Sequence, residues 1–85
     1  MNNKQFERAM DISRAVIRTF PKESLEVRLN KVTENYIKAH LSDNIKEMAL
    51  SYTMLIDTME ILNAKHEDYQ APGLAKIIYK EYLEG

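Results

Sequence analysis

Apolar residues recur along most of this chain at steps of three and four, with polar residues filling the gaps. The longest such register lies between Ser42 and His66, where Ile45, Met48, Tyr52, Leu55, Met59, Leu62 and His66 follow one another at alternating steps of three and four. That spacing puts them on one face of a helix. Leu50, Met54 and Ile61 form a second row on nearly the opposite side, with Asp57 in the gap between Met54 and Ile61. A surface helix of a small domain needs one apolar stripe only. Two stripes predict a helix that either lies at the centre of its domain or lends its back to a partner.

The remaining pattern predicts three more helices. The first covers about residues 3–19, with Phe6, Met10, Ser13, Ile17 and Phe20 in one row, Val16 beside it and Ile12 further round. Glu7, Asp11, Arg14 and Arg18 line its other side in the acid-before-base order that favours a helix. Pro21 disfavours a helical Phe20 and ends it. A second helix starts at Pro21 or Ser24, buries Leu25, Leu29, Val32, Tyr36 and Ala39, and stops near His40 or Leu41. Asn44 and Glu47 have capping-box spacing, so a tight turn lays the second and third helices side by side as an antiparallel hairpin. The third helix runs to about Lys65. Residues 66–73 read as a loop, and a last helix over about 72–83 presents Leu74, Ala75, Ile78, Tyr79 and Tyr82. The expected fold is all-α: a single small four-helix domain over residues 1–85, its two long central helices flanked by an N-terminal and a C-terminal one.

Size adds an oligomeric expectation. A chain of 85 residues buries roughly 60% of its unfolded surface, so its core is thin. Scaffolds this small usually add a disulfide, a metal or a second subunit. There is no cysteine, which leaves self-association as the simplest aid and predicts a homodimer. The missing cysteine also fits a reducing compartment. The first eight residues are polar, and no run is long enough to span a bilayer. A cytoplasmic protein with no membrane partner is expected. The net charge of −1 gives no general attraction to nucleic acid or anionic lipid.

Candidate chemistry is sparse. His40 and His66 belong to no His-Glu-x-x-His or Glu-x-x-His pair, and each reads as a helix-end residue complementing the dipole. The consecutive His66, Glu67 and Asp68 would aim in different directions. All-α nucleotide pyrophosphohydrolases hold magnesium with a Glu-Glu-x-x-Glu block followed by Glu-x-x-Asp. Here Glu23 and Glu26 are preceded by Lys22, and Asp57 with Glu60 reverses the second pair, so a magnesium-dependent hydrolase is a remote alternative. No nucleophile elbow or glycine-rich loop occurs. The expectation is a non-enzyme with no metal and no cofactor.

DNA binding is the nearer alternative. The turn before the third helix can be read as a helix-turn-helix, but that helix opens with Ser42, Asp43, Asn44, Ile45, Lys46 and Glu47, a poor set for phosphates and base edges. The basic cluster that could contact nucleic acid is Arg14, Arg18 and Lys22. Cations at a helix C-terminus explain it equally well.

The interaction surface singled out is the Leu50, Met54, Asp57 and Ile61 row. Exposed, it would be an apolar binding stripe in which Asp57 fixes register. Buried, Asp57 would need a partner such as Arg14, Lys38 or Tyr79. The functional expectation is a non-catalytic helical protein-interaction module: an adaptor, inhibitor or regulator of a larger protein, acting as a homodimer. Chains of this kind are common among phage and mobile-element proteins, an origin suggested by analogy alone.

Overall fold

The chain folds into α1 (Asn3–Ile17), α2 (Lys22–Leu41), α3 (Ile45–Lys65) and α4 (Gly73–Glu84). This is a computed structural model, and it describes residues 3–66, 69–71 and 73–85. The four helices and their order match the periodicity. Glu67, Asp68 and Pro72, which the sequence places in the loop and at the start of the last helix, lie outside the described residues.

The connections explain where the helices stop. α1 ends two residues earlier than expected. The Thr19 and Phe20 N–H groups reach back only three residues, to the carbonyls of Val16 and Ile17, which tightens the chain ahead of Pro21. Pro21 is extended (φ −68°, ψ 163°) and stands just before the first helical residue. Its carbonyl accepts the Leu25 N–H at 3.1 Å.

The turn between α2 and α3 closes both helices within three residues. Asn44 donates its N–H to the Ala39 carbonyl at 2.9 Å, and Asp43 donates to that of His40 at 3.3 Å. This is a Schellman arrangement, and it needs a left-handed residue at Asp43, whose φ is 54°. Asn44 then begins α3: its side-chain oxygen accepts the Glu47 N–H at 3.2 Å, as the capping spacing predicts. The two helices consequently run back along each other. His40 meets Met48, and one turn further on the Tyr36 and Tyr52 rings lie 6.1 Å apart.

α3 is the central helix. Leu55, Ile56, Asp57, Thr58 and Met59 are buried in succession, followed by Ile61 and Leu62. Five consecutive buried residues span more than one turn, so here the helix is covered on most sides, with Glu60, Asn63 and Ala64 left as its exposed edge. α2 covers its Leu55 and Leu62 side, with Leu25, Leu29 and Val32 in the same core cluster. α4 supplies Ala75 and Ile78 to that cluster and α1 supplies Ile17. The Thr58 hydroxyl, fully buried, donates to the Met54 carbonyl at 2.7 Å. At the far end, the Lys65 ammonium donates to the Arg18 carbonyl, where a cation complements the C-terminal end of α1. The first turn of α3 escapes this burial: Ile45, expected on the core face, is exposed.

Two stability measurements test this account. Leu55→Ala removes a fully buried side chain where three helices meet and should cost about 2–5 kcal/mol in urea unfolding. Asp43→Gly relieves a left-handed residue of its Cβ and should leave stability unchanged or raise it by up to about 1 kcal/mol. A clear loss from the glycine substitution would show that the Asp43 side chain itself holds the turn.

Candidate interaction site

Half of the α3 row is buried inside the monomer. Asp57 and Ile61 are each 7% exposed, while Leu50 and Met54 are half-buried. Of the two alternatives for this row, Asp57 and Ile61 take the buried one: Ile17 of α1 shares a core cluster with Ile61, and Arg14 reaches Asp57. Size is the physical reason. A third helix of this length buries enough apolar surface only if both flanking helices close over it.

Asp57 finds one of the partners foreseen for a buried position. The Arg14 guanidinium donates to its Oδ1 at 3.2 Å and to Asp11 Oδ1, one turn back on α1, at 2.5 Å. The hydrogen bond to Asp11, then that to Asp57, strengthens the guanidinium's hold on its proton. Arg28 of α2 faces the same carboxylate. Its Nη2 donates to Ser13 at 3.3 Å, burial pushes its pKa down, and the field of Asp57 opposes that push. Arg28 Nε and Asp57 Oδ2 are both buried without a hydrogen-bond partner. The two carry opposite charge, so their attraction offsets part of the desolvation that each suffers. Arg28 was missed as a site residue, yet its signal is in the sequence: it stands three after Leu25 and four before Val32, inside the buried register.

This geometry divides the basic cluster. Arg14 is turned inward to two carboxylates. Lys22 lies over the Tyr69 ring, 6.0 Å from its centroid, and Arg18 is exposed at the end of α1. The three do not present one row of free cations. The four acidic candidates are likewise dispersed. Asp57 is buried against Arg14, Glu60 is exposed, and Glu23 and Glu26 start α2. Among the described residues, no three histidines or carboxylates are grouped as metal ligands. His40 stacks on Tyr36 with ring centroids 6.3 Å apart, and His66 is the residue after α3, its N–H bonded to the Leu62 carbonyl.

One surface that remains open is a furrow between α2 and α4. Two hollows of about 340 Å³ and 280 Å³ meet at Ile37 and Leu74, which line both. Leu41 (81% exposed) and Ile77 (54%) continue the apolar lining toward one end. Glu34 stands at the other end, its carboxyl held below the ordinary range by the hydrogen bond from Lys38 at 2.9 Å. The furrow exists because α4 rests on the hairpin through Ala75, Ile78, Tyr79 and Tyr82, leaving Leu74 and Ile77 on its open flank. A second apolar face lies on α1, where Ile12 (56%) and Val16 (50%) are exposed one turn apart. Neither face was singled out from the sequence. Among the described residues, no helix is long and apolar enough to cross a membrane.

No family model matches the chain, and no curated protein or solved structure matches it either.

Removing either member of the half-buried Arg14–Asp57 ion pair tests its weight. Arg14→Met strips Asp57 of its hydrogen-bonded cation and should lower stability by about 1–3 kcal/mol. In an Asp57→Asn background the same substitution should cost less, with a coupling of at least about 0.5 kcal/mol in a double-mutant cycle. Additive losses would mean that the pair contributes nothing.

Proposed function

We propose that this protein is a non-catalytic helical interaction module that works as a homodimer and binds through the α2–α4 furrow. The observation that carries the reading is the exposed apolar lining of that furrow, Ile37, Leu41, Leu74 and Ile77. On a monomer of 9.9 kDa, such a lining is a continuous surface that water disfavours, and faces of this kind mark protein-binding sites. The furrow also has the form that receives an amphipathic helix: apolar walls with charged groups at both ends. The thin core of a short chain adds a thermodynamic reason to associate. The proposed surface thus moves from the Leu50–Ile61 row of α3, two of whose four residues are buried, to the furrow between α2 and α4. A regulator that contacts DNA through Arg14, Arg18 and Lys22 gains no support from an inward-turned Arg14.

Sedimentation equilibrium between about one and one hundred micromolar should give twice the 9.9 kDa chain mass. Ile77→Glu and Leu41→Glu, both at exposed positions, should weaken the association at least about 100-fold, or about 2.7 kcal/mol, with helical circular dichroism unchanged. A mass of one chain throughout that range would overturn the reading. So would a dimer indifferent to both substitutions.

A further inference from the structure

Resting on that reading, we infer that the occupant of the furrow is the outer face of α1 from a second copy of this chain, exchanged reciprocally about a twofold axis beside α2. Three observations point to it. The first is shape. Ala9, Ile12 and Val16 are exposed at steps of three and four, which makes a helical ridge about 10 Å long. A ridge of this spacing is what a furrow between two helices accepts, and joining the two covers two exposed apolar faces at once.

The second observation is charge. Arg8 lies on α1 one turn before Ile12, on the ridge's flank, while Lys4, two turns before Ile12, falls further round beside Asp11, and Glu7 falls on the side of the helix that carries Arg14. Arg8 forms no ion pair among the described residues. The α4 wall of the furrow is acidic: Glu81 lines it, and Glu84 follows one turn after. Glu81 is likewise without an ion pair among the described residues. A basic-flanked ridge and an acidic-walled furrow attract each other and disfavour furrow-to-furrow pairing, which would bring the two acidic walls together.

The third is placement. Ser13 is hydrogen-bonded to Arg28 of α2, and Arg14 to Asp57 of α3. On the helical wheel Ile12 and Val16 lie on the opposite side of Ser13 from Arg14, so the ridge faces outward on α2's side of the molecule. α2 also forms one wall of the furrow. Ridge and furrow therefore flank the same helix, and one twofold axis can join each ridge to the other copy's furrow. A closed pair makes the contact twice, which brings a small chain closer to the roughly 1,600 Å² of a stable interface.

The chain has no cysteine, so single thiols can be introduced without background. Val16→Cys and Ile77→Cys chains, mixed and oxidised mildly, should form the mixed disulfide at least tenfold faster than either variant links to itself. Equal rates for all three combinations would overturn the inference, as would dominant Ile77→Cys self-linking, which places furrow against furrow. Sedimentation keeps the two claims apart. A dimer that Ile77→Glu dissociates but Ile12→Glu leaves intact sinks the α1 occupant while leaving the furrow interface standing. A monomeric wild type sinks both.

Discussion

A carboxylate at a buried position of a central helix must be met by cations from its neighbours, and the arrangement of this molecule follows from how Asp57 is met. Arg14 approaches from α1 and Arg28 from α2, so the charge on the central helix is answered by both helices that precede it. Only Met10 and Ile17 of α1 are buried, a gross contribution of about 1.5–3 kcal/mol each. Two such side chains hold a fifteen-residue helix weakly, because apolar contacts tolerate sliding. The Arg14–Asp57 pair and the Lys65 cap on the end of α1 do not tolerate it. They fix where along α3 the first helix stops, at a cost in desolvation that a purely apolar contact would avoid.

The attachment of α4 to the hairpin includes a chain of aromatic rings, two of which, Tyr52 and Tyr82, line the same hollow as Arg14 and Asp57. Tyr36 of α2, Tyr52 of α3 and Tyr82 and Tyr79 of α4 touch in sequence, with ring centroids 6.1 to 6.3 Å apart. Rings at these separations attract beyond their buried area, and their hydroxyls can reach water at the edge of the packing. This chain of aromatics draws α4 onto the α3 side of the hairpin. α4 packs on both helices of the hairpin, and the furrow lies where Leu74 and Ile77 stand open beside Ile37 and Leu41 of α2. Closure over α3 and an open apolar lining on α2 are two outcomes of the same docking.

Much of this was legible in the sequence. Steps of three and four located four helices, and the Asn44–Glu47 spacing located the start of α3. The double row on α3 correctly posed the choice between a central helix and an interface helix. It could not settle that choice, because a helical wheel shows which residues share a face and not which neighbour lies over it. Asp57 held the answer in part: an acid in a buried row asks for a cation, and Arg14 stood among the few within reach. The furrow was illegible for a different reason. Leu74 reads as part of the last helix's apolar side, and nothing in the spacing of Ile37, Leu41 and Ile77 sets them apart as a surface. Their union into one surface depends on the angle at which α4 docks, which no local spacing encodes.

The aromatic chain also gives the protein a built-in optical gauge. There is no tryptophan and there are five tyrosines, four of which form the contact chain from α2 to α4. Excitation energy absorbed by one ring therefore passes readily to the next, and the near-ultraviolet ellipticity arises from rings whose mutual orientation depends on α4 staying docked. Lifting α4 from the hairpin would change that optical signature before any helix unwinds. The far-ultraviolet spectrum, which records helices alone, would remain silent.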